Sequence, residues 1–101
     1  AAQGDAAEAA LATKLGEHLK ALLDFVTPLS HGHKEMKIRL LALDCIDGMR
    51  QLPYAKVHPH RRYVIDGLRD ALDDRKRIVR TRAAEVRNRW FEAASTSPAP
   101  H

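Results

Sequence analysis

The residues with the strongest chemical character are basic side chains concentrated late in the chain. Residues 75–89 hold seven arginines and lysines against one glutamate, a net charge of +6. Residues 1–33, in contrast, hold two lysines against four carboxylates, a net charge of −2. A basic segment of this kind is suited to an acidic protein surface or to nucleic acid.

One side of the basic segment combines positive charge with an aromatic residue. Five residues lie in one sector of a helical wheel because they are spaced by four, four, three and four positions. These residues are Lys76, Arg80, Ala84, Arg87 and Phe91. Such a stripe favours contact with an acidic protein surface, although a solvated charged face would give the same pattern. The candidate partner-binding residues are Lys76, Arg77, Arg80, Ala84, Arg87 and Phe91.

The other reactive side chains do not form a recognisable site. The pairs His31/His33 and His58/His60 could bind zinc only with additional ligands, and the sequence indicates none. Cys45 is the only cysteine, so it can supply neither an internal disulfide nor the ligand set of an iron–sulfur cluster. No phosphate-binding loop or nucleophile–base pair is present. The sequence therefore predicts no catalytic residues, no metal and no cofactor.

Apolar periodicity predicts an all-α fold of four helices without strands. Thr27-Pro28 is expected to end the first helix and Leu52-Pro53 the second, because the residue before a proline disfavours helix. The last seven residues are small, polar or proline, a composition expected to be disordered. The predicted helices span about residues 5–26, 34–52, 59–72 and 75–94, followed by the tail at 95–101.

Each predicted helix carries an apolar stripe that is expected to face the core. In the second helix the stripe passes through Leu41 and Cys45, so the thiol of Cys45 is expected to be buried and inert. In the fourth helix the stripe ends at Trp90, which is expected to pack in the core. A second patch on the other side of the second helix is formed by Met36, Leu40 and Leu43.

The second and fourth helices match each other in sequence at an offset of 41 residues (79 − 38). Ile38-Arg39 then corresponds to Val79-Arg80. At the same offset, Ala42, Cys45 and Met49 correspond to Ala83, Val86 and Trp90. A helix-pair repeat of this length is typical of HEAT solenoids, whereas the alternative is a four-helix bundle with a chance overlap. The two predicted repeats span residues 1–53 and 54–94.

The two repeats differ on the side that a following repeat would cover. Met36, Leu40 and Leu43 of the second helix correspond to Arg77, Thr81 and Ala84 of the fourth. Because the ends of a solenoid need polar caps, the second repeat is expected to be the last of an array. The apolar stripe between Leu11 and Val26 is expected to pack against an upstream repeat, which makes the chain a fragment of a longer protein.

Parts of the sequence resemble a known family. Residues 63–80, with 72–80 as the most specific part, and the following Trp90-Phe91 pair are similar to the C-terminal HEAT repeats of one scaffold. This scaffold is a subunit of the cytosolic iron–sulfur protein assembly (CIA) targeting complex. Residues 38–45 also resemble it, and the similarity extends from about Met36 to Phe91.

The resemblance implies a scaffold that has no enzymatic activity and is both cytoplasmic and nuclear. Its C-terminal repeats would dock a small adaptor subunit and, through it, a β-propeller subunit. The complex would deliver iron–sulfur clusters to apo-proteins that include DNA repair and replication enzymes. The resemblance also implies upstream HEAT repeats in the same chain. In HEAT arrays an arginine near the start of the second helix pairs with a turn aspartate, which implies an inter-repeat ladder of Arg39, Asp73, Asp74 and Arg80.

Two other functions stay open from the residues alone. The basic helix at 75–89 could bind nucleic acid through phosphate contacts. No aromatic residue is interleaved among its arginines, so stacking on bases is poorly supported and direct binding of nucleic acid is not favoured. The chain could also be a HEAT fragment of an unrelated scaffold. Its apolar runs are too short to predict a membrane span.

Overall fold

The described part of the chain is helical. The computed structural model describes residues 2–95, with side chains over residues 6–92 apart from Ala12. No strand occurs in this part, and none of its helices combines the length and apolarity needed to cross a bilayer. The all-α prediction is confirmed. The helices are α1 (Ala2–Glu17), α2 (Leu19–Gly32), α3 (Met36–Met49), α4 (Tyr54–Val57), α5 (Arg61–Gly67) and α6 (Arg77–Ser95), with 3-10 helices at His58–His60 and Ala71–Asp73.

The helices stack as two pairs. α2 packs on α3 and α5 packs on α6, while α3 contacts α6 and α2 contacts α5 between the pairs. Gly67 permits the close approach of α5 to α2, since a Cβ at this position would lie 2.5 Å from Thr27 Cγ2. This arrangement of stacked helix pairs is consistent with the end of a helical repeat array.

One cluster of buried apolar residues holds the two pairs together. Trp90 is completely buried, as predicted, and its Nε1–H donates to the carbonyl oxygen of Ile46 at 2.9 Å. The largest side chain of α6 is therefore anchored on α3. The other fully buried large side chains are Leu19, Leu23, Leu43, Ile46, Val57, Val64, Leu68, Val79 and Val86.

The prediction of a single first helix at 5–26 is wrong. The structure has two helices here, α1 and α2, which together extend from Ala2 to Gly32. Backbone angles of φ −112° and ψ 14° at His18 separate α1 from α2, and α2 continues through Pro28 to Gly32. A proline inside a helix removes one backbone hydrogen bond. Here Thr27 and Ser30 are buried, and Ser30 Oγ donates to the carbonyl oxygen of Thr27 at 2.7 Å. Packing of this turn outweighs the local preference against helix.

The third predicted helix, at 59–72, is also wrong, because this stretch is divided. Helix begins earlier, at Tyr54, and passes through the 3-10 helix His58–His60 into α5. Pro59 has no amide hydrogen to donate, which suits a short 3-10 segment better than a continuous α-helix. After Gly67 the chain turns and forms a second 3-10 helix that ends at Asp73.

The second and fourth predicted helices exist with shifted ends. α3 covers residues 36–49 rather than 34–52, and α6 covers residues 77–95 rather than 75–94. Lys76 therefore precedes α6 instead of lying in it. Ser95 is helical and not part of a disordered tail, and the rest of that predicted tail lies outside the described residues.

The predicted core face of the second helix is partly wrong. Leu41 is 58% exposed and Cys45 is exposed, whereas Leu43 and Ile46 are completely buried. The helix is apolar on two sides, and within the described part of the chain it packs mainly against α2 and α6. Leu11, predicted to share the stripe of the first helix, is likewise 59% exposed. Among the described residues, no element packs over these positions.

The starts of α3 and α6 have the same local geometry. The two helices begin 41 residues apart, at 36 and 77, the offset of the sequence match. Before α3, the amide of Glu35 donates to His33 Nδ1 at 3.0 Å; before α6, the equivalent amide of Lys76 donates to Asp74 Oδ1 at 2.8 Å. The offset is thus a property of the backbone as well as of the residue types.

Candidate partner-binding face

The arginines of α6 fall into two groups, and the group facing α3 is neutralised. Arg82 forms an ion pair with Asp44 of α3, and Arg89 NH1 lies 3.1 Å from Asp47 Oδ2. These contacts join the two helix pairs. Because each of these cations faces a carboxylate, this side of α6 offers little net charge to an outside partner.

The opposite side of α6, together with Lys76, is named here the terminal face. It consists of the candidate residues predicted from the sequence, Lys76, Arg77, Arg80, Ala84, Arg87 and Phe91. Among the described residues, no carboxylate lies within ion-pair distance of Arg77, Arg80 or Arg87. Lys76, Arg77 and Arg80 are exposed, and Phe91 is 41% exposed. The structure therefore brings the predicted stripe together as an uncompensated basic surface.

Arg61 belongs to this face, and sequence reasoning missed it. Its guanidinium carbon lies 5.2 Å from the ring centroid of Phe91, within the range of a cation–π contact. The Nε atoms of Arg61 and Arg87 are buried without an acceptor among the described residues. Arg61 is 30 positions from Phe91 on another helix, so no spacing rule in the sequence could have joined them.

The inter-repeat ladder predicted from the resemblance centres on one ion pair. Arg39 Nε lies 2.7 Å from Asp74 Oδ2, and Arg39 NH2 lies 3.1 Å from Asp74 Oδ1. The side chains are only 4% and 6% exposed. Arg39 NH1 also donates to the carbonyl oxygens of His33 and Lys34 at 3.0 and 3.1 Å. One guanidinium therefore links the turn before α3 to the turn before α6.

Asp74 is held as a carboxylate by its surroundings. Burial alone would raise its pKa, but the amide of Lys76 and the guanidinium of Arg39 donate to it, and the net pKa is below its usual value. Asp73, the other predicted aspartate of the ladder, is exposed and carries no side-chain bond among those described. Among the described residues, the one hydrogen bond of the Arg80 side chain is donated by NH1 to the carbonyl oxygen of Asp74 at 2.8 Å.

Three histidines of the two pairs, His31, His33 and His58, contact neighbouring groups of the fold. His33 accepts an amide hydrogen bond, and the ring of His58 stacks on Tyr54 with centroids 5.1 Å apart. His31 lies 3.7 Å from a carboxylate oxygen of Asp70, beside an open polar cleft of about 410 Å³ between the two turns. Within the described residues, no group of three or more histidine, cysteine or acidic side chains could hold a metal ion.

Comparison with known proteins gives a consistent family signal. No protein-family model matches the chain. Curated relatives do: the MMS19 nucleotide excision repair protein homolog of Xenopus laevis is 38% identical over 74 residues, 73% of this chain. The Danio rerio homolog is 37% identical over 83 residues, 82% of this chain, and the human homolog is 39% identical over 56 residues, 55% of this chain.

The relatives are much longer than this chain. The matched part is 7% of the Xenopus laevis protein, 8% of the Danio rerio protein and 5% of the human protein. The similarity therefore concerns a short helical segment of a large protein, in agreement with the stacked helix pairs of the fold. The chain is therefore an MMS19-like segment that spans less than a tenth of the length of these relatives.

Proposed function

We propose that the chain is a non-enzymatic docking module of an MMS19-type scaffold, and that its terminal face binds an acidic partner protein. The observation that carries the proposal is the asymmetry of α6. Arg82 and Arg89 are compensated by aspartates of α3, whereas Arg77, Arg80 and Arg87 have no described carboxylate partner. Uncompensated charge beside an exposed aromatic residue is the composition of a protein-binding surface.

The partner proposed from the resemblance is the small adaptor subunit of the CIA targeting complex. Through this adaptor the module would connect to the β-propeller subunit and support delivery of iron–sulfur clusters to DNA repair and replication enzymes. The names of the relatives, which refer to nucleotide excision repair, agree with such a role. A cytoplasmic and nuclear location, upstream HEAT repeats and the absence of catalysis belong to the same proposal.

Binding of nucleic acid by the basic helix is the second candidate, and the geometry favours it less. A phosphate-binding surface needs several cations free at once. Two of the seven basic residues in 75–89, Arg82 and Arg89, are already paired with carboxylates. Phe91 is the one exposed aromatic residue on this side of α6 among the described residues, so the helix presents no row of stacking residues.

The test is binding of the chain to the purified adaptor–propeller pair, measured by co-elution and by titration. The double variant Arg77→Glu/Arg87→Glu should weaken binding by about tenfold or more, because like charges then face the acidic partner. The matched control is Arg62→Glu/Arg69→Glu. It makes the same change in net charge at side chains that are 93% and 76% exposed and lie outside the terminal face.

The outcomes separate the candidates. Loss of binding in the first variant alone supports a local surface, while equal losses in both variants indicate only long-range attraction. If the wild-type chain binds neither protein, the docking proposal fails. Binding of a short DNA duplex whose affinity falls steeply with salt, and which needs Arg77 and Arg87, would establish the second candidate instead.

A further inference from the structure

Arg80 occupies in the second repeat the position that Arg39 occupies in the first. The two residues are 41 positions apart, the offset of the repeat, and each is the fourth residue of its helix. Their amides make the same bond: Arg39 donates to the carbonyl oxygen of Glu35 and Arg80 to that of Lys76, both at 3.1 Å. The backbone therefore places the two guanidiniums in equivalent settings.

The two side chains also use the same nitrogen in the same way. Arg39 NH1 donates to the carbonyl oxygen six residues earlier, that of His33, at 3.0 Å. Arg80 NH1 donates to the carbonyl oxygen six residues earlier, that of Asp74, at 2.8 Å. In each case this bond holds NH1 against the turn that precedes the helix. The Nε and NH2 groups then form the opposite edge of the guanidinium, directed away from that turn.

The difference lies at that second edge. In Arg39 it grips the Asp74 carboxylate of the following repeat with two hydrogen bonds, at 2.7 and 3.1 Å. In Arg80 neither Nε nor NH2 has a partner among the described residues, and the side chain is exposed. Paired N–H groups on a planar guanidinium match a carboxylate in shape and charge, which a lysine ammonium does not.

We infer that Arg80 is a preset carboxylate clamp whose ligand is an aspartate or glutamate of the partner protein. The inference rests on the proposed docking function and names its central contact. The partner's carboxylate takes the place that Asp74 takes on Arg39, so the partner adds to the stack where a further helix pair would lie. Asp74 also accepts the amide of Lys76 at the start of α6, so the equivalent partner residue lies at the start of a helix.

The surroundings of Arg80 determine the rest of the partner surface. α6 packs on a side of α3 that carries Met36, Leu40 and Leu43, all in or against the core. The equivalent positions around Arg80 are Arg77, Thr81 and Ala84. The partner therefore meets polar and basic groups here, and its contact surface is acidic rather than apolar.

The first experiment compares two charge-conserving substitutions on the terminal face. Arg80→Lys keeps the charge but removes the paired edge, so affinity for the adaptor–propeller pair should fall by about tenfold. Arg77→Lys, the matched control at a side chain with no described contact, should stay within about twofold of the wild type. Wild-type affinity in Arg80→Lys would overturn the clamp while leaving the docking function intact.

A second experiment does not depend on the adaptor. The Nε–H resonances of the ¹⁵N-labelled chain are followed by NMR during titration with sodium acetate against sodium chloride at equal ionic strength. Arg80 should shift saturably, whereas Arg62 and Arg77 should drift alike and linearly. An Arg80 response no different from Arg62 would overturn the clamp even if docking is established. A saturable shift would support it even if the adaptor proves to be the wrong partner.

Discussion

The exposed side of α3 and the exposed side of α6 differ in polarity. On α3, the side away from Asp47 and the second pair presents Ile38, Cys45 and Met49 with Leu41 beside them, and these residues are exposed or half-buried. On α6, the corresponding outer side is the basic terminal face. One end of the molecule therefore exposes apolar side chains, and the other exposes uncompensated positive charge.

The repeat offset explains the apolar end. Ile38, Cys45 and Met49 are the equivalents of Val79, Val86 and Trp90, which are completely buried. The second set is covered because α6 packs on α3. In the first set Cys45 is exposed, and Ile38 and Met49 are only half-buried, with Met49 packed against the core cluster. Apolar positions of this kind are built for permanent burial, which agrees with the upstream repeat proposed above. The basic terminal face, in contrast, is stable when exposed to solvent, so its partner need not be bound permanently.

The largest effect should come from the pair of equivalent positions Trp90 and Met49. Trp90→Ala removes a fully buried ring and its hydrogen bond to Ile46, and should lower the free energy of unfolding by about 4 kcal/mol. Met49→Ala, at a half-buried position, should lower it by about 1 kcal/mol. Urea unfolding followed by circular dichroism gives both values.

One further variant keeps this comparison measurable. Trp90→Phe retains most of the packing but loses the Nε1–H donor, so it should cost about 1 kcal/mol and remain measurable if Trp90→Ala does not fold. Equal losses for Trp90→Ala and Met49→Ala would contradict the idea that only the inner side of α3 is covered in this chain.

The next effect separates the two equivalent arginines. Arg39→Ala leaves Asp74 as a buried carboxylate without its cation, and should lower the free energy of unfolding by about 3 kcal/mol. Arg80→Ala removes one exposed hydrogen bond and should change it by less than about 0.5 kcal/mol. A comparable loss in Arg80→Ala would mean that this arginine serves the fold, which would remove the reason to assign it to a partner.

The stability that the Arg39–Asp74 ion pair contributes should depend on pH. The pKa of Asp74 is held below its usual value of 3.8, so the folded chain takes up a proton there less readily than the unfolded chain does. The resulting stability is present above about pH 4 and is lost as pH falls through the lower pKa of the folded state. The difference in urea midpoint between wild type and Asp74→Asn should therefore shrink below pH 4. A difference that stays constant from pH 7 to pH 3 would rule out this coupling.

Features with a local or periodic cause were predictable from the sequence. The 41-residue offset between α3 and α6, the burial of Trp90 and the grouping of the basic residues follow from spacing alone. The continuation of α2 through Pro28 was not predictable, because burial of Thr27 and Ser30 decides it. The same holds for Arg61, whose place beside Phe91 depends on how α5 packs on α6.

The misassignment of Cys45 has a different cause. Its stripe is apolar in the way that a core stripe is, and its equivalent, Val86, is indeed buried. Periodicity identifies the side of a helix that suits burial, but it cannot identify which neighbour covers that side. Where no described residue covers that side, the apolar pattern assigns residues to the core that are exposed in the structure.

The smallest effect, on reactivity rather than stability, tests this explanation directly. Cys45 is exposed, so its thiol should react with a disulfide reagent in the native chain at close to the rate of the urea-unfolded chain. In the variant Cys45→Ser/Val86→Cys the thiol occupies the equivalent position on α6, which is completely buried, and its labelling should wait for unfolding. Protection of Cys45 in the native chain would show that the apolar side of α3 is covered after all, by association of copies if the protection grows with protein concentration. Positions 45 and 86 are equivalent in the two repeats. A difference in labelling rate between the two thiols therefore shows whether a neighbouring element covers the position.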